Sequence, residues 1–203
     1  MIALIDYGMG NLRSVEKALQ KVGGEVRIVQ KVSDLKDAER LVLPGVGAFR
    51  DCMRNLDGCG MIDGVRDFIC SGKPFLGICL GYQALFDRSE EGRDATGLGI
   101  LAGSVVRFSD GTLKVPQIGW NQIRIQQPDC PLLQGIKDNS YVYFVHSYFP
   151  KPADSRIVAS WTEYGVRFAS MVWRDNVFAC QFHPEKSQAV GLRLLQNFVK
   201  LRT

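Results

Sequence analysis

Apolar and polar positions in the first half of the chain alternate between two periods. Residues 2–6, IALID, form a short apolar run that predicts a buried strand. Residues 11–22, NLRSVEKALQKV, carry Leu12, Val15, Leu19 and Val22 at helical spacing, with Asn11 placed to cap the helix. EVRIV at 25–29 predicts a second strand. RLVLPGVGAF at 40–49 reads as a strand running into a glycine loop, followed by helical patterns across roughly 50–71. FLGIC at 75–79 reads as a strand that feeds directly into a helical LGYQALFD. Strands alternating with helices imply parallel pairing with helices on the faces of the sheet.

The second half changes character. GSVVRF, VPQIGWNQIRI, YVYFVHSYF, RIVASW, VRFASMVW and VFACQF are strand-like runs separated by turn residues, and RDN at 174–176 suits a tight hairpin. From Ala189 to Leu201, apolar residues at 190, 194, 195, 198 and 201 predict a closing helix. The expected fold is α/β: an open, mostly parallel central sheet with helices on both faces, plus additional antiparallel strands in the second half. A length of 203 residues suits one domain over 1–203.

Composition narrows the function classes. Hydrophobic residues at 46% and charged residues at 23% are ordinary for a globular chain, which argues against disorder or a fibrous repeat. A net charge of +4 without any basic stripe gives nucleic-acid binding little support. The N-terminal apolar run is cut short by Asp6 and has no basic leader, and no stretch is long enough to span a bilayer, so a cytoplasmic protein without membrane attachment is expected. Six cysteines without a C-x-x-C pair favour reduced thiols over a zinc site or redox dithiol, and no metal or cofactor is expected.

One of those cysteines occupies a distinctive place. In GICLGYQ, Cys79 lies at the carboxyl end of a predicted strand, where open α/β sheets bind ligands. Gly77 and Gly81 flank it at the spacing of a nucleophile elbow, a crowded turn whose neighbours must lack a Cβ. A helix starting there would aim its N–H groups and positive dipole end at the sulfur, favouring the thiolate. The alternative is a buried core cysteine with incidental glycines. A nucleophile needs a base, and the chain has two histidines, His146 and His183. His183 ends a predicted strand in ACQFHPE, where Pro184 favours extended backbone, and alternation would place Glu185 on the same side as the imidazole. A strand end followed by a solvated turn would give the same letters. In LPGVG, Gly45 and Gly47 free the Val46 N–H to face a substrate, and Leu80 N–H, next after Cys79, offers a second oxyanion donor. PGVG alone is also an ordinary turn.

PGVG, GICLGYQ and FHPE, in this order and at these separations, resemble the triad class of glutamine amidotransferases. DYGMGNLRSV, GWN, YFVHSY and HPEKS bring the resemblance closer to the glutaminase subunits of imidazole glycerol phosphate synthases, over essentially the whole chain. The resemblance implies Cys79 as nucleophile, His183 as base and acid, and Glu185 as the residue that orients it. Glutamine would be hydrolysed to glutamate and ammonia through a thioester. By the same resemblance Gln83 and Glu91 hold the charged end of glutamine, and His146, Ser147 and Tyr148 line its pocket.

The chain length leaves little room for a synthase domain, so a separate partner is expected. The resemblance implies a (β/α)₈-barrel cyclase that receives ammonia through a protected channel and makes imidazole glycerol phosphate for histidine biosynthesis. The partner-facing positions carried over are Asn11, Trp120, Asn121, Tyr143 and Lys186; a core tryptophan is the other reading of Trp120. Gln117 and Ile118 stand where the family often has His and Met, which bears on the expected interface. Two alternatives remain: a paralogous glutaminase feeding another synthase, such as a sugar-modifying one, and a non-catalytic regulatory protein on the same fold.

Overall fold

The computed structural model describes residues 1–92, 95–109, 111 and 113–201. In chain order its elements begin with β1 (Ile2–Ile5), α1 (Leu12–Lys21), β2 (Val26–Val29), β3 (Arg40–Leu43), α2 (Phe49–Gly58), α3 (Met61–Cys70) and β4 (Phe75–Ile78). A single helical turn, α4 (Leu80–Gln83), leads into β5 (Phe86–Ser89), β6 (Ala95–Thr96) and β7 (Leu101–Arg107). Then follow β8 (Gln117–Gln122), β9 (Arg124–Ile125), β10 (Tyr141–His146), β11 (Tyr148–Pro152), β12 (Val158–Tyr164), β13 (Val166–Arg174), β14 (Val177–Cys180) and α5 (Gln188–Lys200).

The central sheet has the order β2-β1-β3-β4-β14-β13-β12-β9. Pairing is parallel from β2 through β14 and antiparallel beyond it. The expected mostly parallel sheet with added antiparallel strands is therefore present. The hairpin anticipated at 174–176 joins β13 to β14, with Arg174 opposite Val177 and Asp175 in left-handed backbone, φ +53°.

Alternation along the parallel strands explains why both faces need helices. Ala3, Ile5, Leu41 and Leu43 pack into a core with α2 and α3, whereas Ile2, Leu4, Val42 and Leu76 pack with α1 and α5 on the other side. Each fully buried Leu, Ile or Phe contributes roughly 1.5–3 kcal/mol, so neither face is stable in water. The second half also builds a ribbon, β10-β8, and its β7 and β11 join β5 and β6 in a four-stranded sheet, β11-β7-β5-β6. VPQIGWNQIRI, read as one strand, divides between two sheets: β8 joins the ribbon and β9 the edge of the central sheet.

Two local expectations change. The helix after Cys79 ends at Gln83, and Phe86 enters β5, paired in parallel with Leu101. Ala84, Leu85 and Phe86 are all buried, and a continuous apolar run carries no period to separate helix from strand. A four-residue turn has little macrodipole, so the dipole expected to favour the Cys79 thiolate shrinks to a few first-turn N–H groups. Asn11 does not cap α1 with its side chain: it lies in left-handed backbone, φ +75°, and its amide goes elsewhere.

Candidate active site

Cys79 follows the last residue of β4, which is flanked by β3 and β14 in the middle of the sheet. Its N–H donates to the Cys180 carbonyl at 2.8 Å. Its backbone, φ +54° and ψ −105°, is costly for a residue with a Cβ, typically by 1–3 kcal/mol. The two flanking glycines hold this bend. A methyl at Gly81 would collide with the Leu43 carbonyl oxygen, and one at Gly77 would lie 2.8 Å from the Gly81 carbonyl oxygen. The G-x-C-x-G spacing therefore lets the turn fold onto its own strand and onto β3. Cys79 is only 6% exposed, yet its sulfur-bearing turn lines a cavity of about 400 Å³ together with Val46, Gln83, Glu91, His146 and Tyr148. That volume is within the range of small-molecule sites.

His183 and Glu185 meet beside it. His183 Nδ1 lies 2.7 Å from Glu185 Oε1, with both side chains almost fully buried. The pairing was expected, but the geometry that makes it differs from simple alternation. His183 is extended, φ −99° and ψ 98°, whereas Pro184–Lys186 form a 3₁₀ turn that folds the carboxylate back under the ring. Asn11 Nδ2 donates to the same Oε1 at 2.5 Å, so one carboxylate oxygen takes two donors. Ser187 Oγ donates to the His183 carbonyl at 2.6 Å, and His183 N–H to the Tyr143 carbonyl at 2.9 Å, fixing the backbone below the ring.

Burial pulls the His183 pKa down, but the Cys79 thiolate and then Glu185 outweigh it and push it up to about 10. Among the described residues Nε2 finds no conventional hydrogen-bond partner, which leaves it for the sulfur and a reacting group. A folded pKa above the usual 6.5 stabilises the fold fully below about pH 6.5, and that contribution is lost as pH rises through about 10. Glu185→Gln removes part of the cause. Urea titrations should find the variant about 3 kcal/mol less stable than the parent at pH 6, with the gap narrowing toward pH 10. A gap independent of pH would contradict the charged pairing.

The 43–47 loop brings Val46 and Gly47 to the pocket wall beside Leu80, with Gly45 buried, but the two expected oxyanion donors are not aimed together. Leu80 N–H donates to the Gly45 carbonyl at 3.3 Å. In a trans peptide C=O and N–H point in opposite directions, so Val46 N–H is turned away from Leu80. The ends of the loop are anchored. Tyr7 Oη donates to the Pro44 carbonyl at 2.8 Å, and Glu91 Oε2 accepts the Phe49 N–H at 2.9 Å. A methyl at Gly45 would collide with the Tyr7 hydroxyl, which accounts for that glycine. Gly47, φ +100°, needs its glycine for backbone reasons.

The remaining expected pocket residues fall into place with different partners. Burial, partly offset by the Phe49 N–H, raises the Glu91 pKa. Gln83 spends its amide nitrogen on the Tyr148 carbonyl at 2.9 Å and on Gln181 Oε1 at 3.0 Å, leaving its own oxygen as an acceptor. His146 is held low, to about 4, chiefly by burial, with the His183 charge adding to it and the Tyr148 carbonyl opposing. His146 Nδ1 donates to the Tyr148 carbonyl at 2.9 Å, and Nε2 lies 2.9 Å from Gln117 Oε1; a neutral ring must accept at Nε2, which requires the Gln117 amide to turn its nitrogen to the ring. Gln117 is thus a buried partner of His146; of the two departures from the family pattern, only Ile118 faces outward. Ser147 lines the cavity and its carbonyl accepts the Phe108 N–H at 3.0 Å.

Trp120, Tyr143 and Lys186 form one patch. The Trp120 and Tyr143 rings meet edge-on with centroids 6.0 Å apart, and Lys186 Nζ lies 5.8 Å from the Tyr143 centroid. Trp120 is not a core tryptophan. It shares its face of the β8–β10 ribbon with Ile118 and Tyr141, which are 46%, 64% and 56% exposed in that order. Asn121 and Asn11 instead commit their amides to the chain itself, Asn121 to the Glu163 carbonyl at 2.8 Å on the surface and Asn11 to Glu185. Two site residues went unrecognised in the sequence: Tyr7, and Gln181, whose Nε2 lies 3.6 Å from Cys79 Sγ. Gln181 stands two residues before His183, a spacing that marks the same face of an extended segment.

The chain matches the family described as glutamine amidotransferase class-I over residues 3–201. It is 53% identical to the imidazole glycerol phosphate synthase subunit HisH of Syntrophotalea carbinolica over 98% of both chains, and 48% identical to that of Geobacter sulfurreducens over 99% of both. Its fold resembles a crystal structure of a glutamine amidotransferase, with a TM-score of 0.77 at 20% identity over 99% of this chain and 100% of the other. It also resembles PurLQS from Thermotoga maritima, with a TM-score of 0.75 at 20% identity over 97% and 96%. Family match, near full-length relatives and fold agree: the chain belongs to the class-I glutamine amidotransferases.

Proposed function

We propose that this protein hydrolyses glutamine to glutamate and ammonia as the glutaminase subunit of an imidazole glycerol phosphate synthase, with residues 1–203 acting as one amidotransferase domain in the cytoplasm. The single observation that carries the reading is the strained Cys79 bend at the floor of a small-molecule cavity, opposite the buried His183–Glu185 pair. Cys79 Sγ attacks the side-chain amide carbon, and the oxyanion forms beside Leu80 and the 43–47 loop. Protonated His183 gives its Nε2 proton to the departing ammonia. It then accepts a proton from the water that cleaves the thioester, while Glu185 keeps the ring oriented. Glu91 and the free Gln83 oxygen are suited to the ammonium of the substrate.

Relatives at about half identity are named as subunits of imidazole glycerol phosphate synthase, which supports that acceptor over a paralogous synthase. A partner reading also has support on the surface. Exposed apolar side chains concentrated on one ribbon mark a contact surface, and Lys186 belongs both to this patch and to the cavity wall. The expected partner is a (β/α)₈-barrel cyclase forming a heterodimer, with ammonia passing between sites through a protected channel. Trp120→Ala should weaken that heterodimer by about 2 kcal/mol or more, read by titration calorimetry, as for an interface anchor. Unchanged affinity would place the partner elsewhere. The test of the function itself is glutamate release from glutamine on mixing with the cyclase and its formimino substrate. Absence of glutamate with all three present would refute it.

A further inference from the structure

We propose that Gln181 is a further catalytic residue, which donates a directed hydrogen bond to the Cys79 sulfur and takes its orientation from Gln83 and the Tyr148 carbonyl. The inference deepens the glutaminase reading, on which it rests only for the use to which the thiolate is put.

The segment leaving β14 puts Gln181 in position. Gln181 N–H donates to the Ser170 carbonyl at 2.8 Å, which prolongs the strand pairing by one residue. Phe182 is fully buried in the core shared with α5, and alternation turns Gln181 and His183 the other way, toward Cys79. The sulfur is thereby approached from one short segment by an amide at position 181 and an imidazole at position 183. Gln181 is itself fully buried, so an unsatisfied amide group there would cost stability.

The direction of the amide follows from its partners. A backbone carbonyl accepts and cannot donate. The Gln83 atom 2.9 Å from the Tyr148 oxygen is therefore nitrogen, and the second hydrogen of that nitrogen reaches Gln181 at 3.0 Å. Gln181 must meet it with oxygen. Its own nitrogen is then left facing Cys79 Sγ at 3.6 Å. His146 Nδ1–H supplies the second donor to the Tyr148 carbonyl at 2.9 Å and completes that oxygen. The two bonds from Gln83 through Gln181 point the same way, and the sulfur is their final acceptor. A reversed Gln181 amide would set a carbonyl against the thiolate and two N–H donors against each other.

A donor on the sulfur stabilises the thiolate over the thiol. It has to act on the resting nucleophile, because negative charge leaves the sulfur as the carbon–sulfur bond forms and collects on the substrate oxygen. Gln83 acts through Gln181 and is a positioning residue in this respect, whatever its free oxygen does for the substrate.

The test is alkylation of Cys79 by iodoacetamide in the full-length chain as a function of pH. It is quantified on the Cys79 peptide by mass spectrometry, because Cys59 and Cys70 are also open to solvent. Gln181→Met keeps the side-chain length and removes the donor. Its alkylation midpoint should rise by about one pH unit, with about tenfold slower labelling below the midpoint. Gln83→Met keeps the Gln181 donor but unlocks its orientation, and should shift the midpoint in the same direction by less. Unchanged midpoints in variants with native circular dichroism would overturn the proposal. If Gln181→Met does not fold, Gln83→Met decides alone, and an unmoved midpoint there overturns it. Alkylation requires no glutamine. A normal shift without glutamine hydrolysis would therefore sink the functional reading alone, whereas hydrolysis without a shift would sink only the role of Gln181.

Discussion

Cys79→Ser is expected to abolish glutamate release, lowering kcat by on the order of 10⁴-fold or more while KM for glutamine changes little. Serine fits the bend, since it is the nucleophile that strained turns of this spacing otherwise present, so the fold and cavity should survive. What is lost is the anion. A hydroxyl does not ionise near neutrality, so the charge Cys79 can contribute to raising the His183 pKa is removed together with the nucleophile. The groups suited to the amino-acid end of glutamine, Glu91 and Gln83, are untouched, which keeps the loss in kcat. A Cys79→Ser variant with full turnover would remove the nucleophile from the account.

The second large effect is activation by the partner. Alone, the chain directs the Gly45 carbonyl at Leu80 N–H, so a single peptide unit both occupies one oxyanion donor and turns the other away. Rotation of the Gly45–Val46 peptide corrects both at once. Tyr7 on Pro44 and Glu91 on Phe49 hold the ends of the loop, which confines the movement to its glycines. One well-placed oxyanion donor is worth on the order of 10² to 10³ in rate. Docking of the cyclase with its formimino ligand should therefore raise glutamate release by at least on the order of 10² to 10³, the worth of one of the two donors it restores, as a change in kcat. Equal turnover with and without the partner would contradict the switch.

How much of this was legible in the letters depended on range. Alternation and helical spacing yielded the parallel core, and G-x-C-x-G yielded the bend, because both are local constraints on backbone and face. The helix drawn after Cys79 failed where Ala84, Leu85 and Phe86 are apolar without a period; the tertiary environment alone turns the chain at Ala84 and Leu85 and starts β5 at Phe86. Asn11 read as a cap because asparagine before an amphipathic run usually is one. Its amide instead satisfies Glu185, 174 positions away, a contact no window contains. Gln117 shows the same limit from the other side. A departure from family letters suggested a changed surface, and burial against His146 makes it a change inside the pocket wall. The orientation of the 43–47 loop was beyond sequence altogether, since PGVG permits either face of one peptide.

The central claim is that Cys79 is an accessible, ionisable nucleophile in a pocket shaped for glutamine. Its most direct test is incubation with a glutamine analogue bearing an electrophilic carbon at the amide position, with the cyclase partner present, followed by mass spectrometry of all six cysteine peptides. The account expects one adduct, on Cys79, suppressed by excess glutamine. An unlabelled Cys79, or labelling confined to Cys59 and Cys70 and indifferent to glutamine, would contradict it.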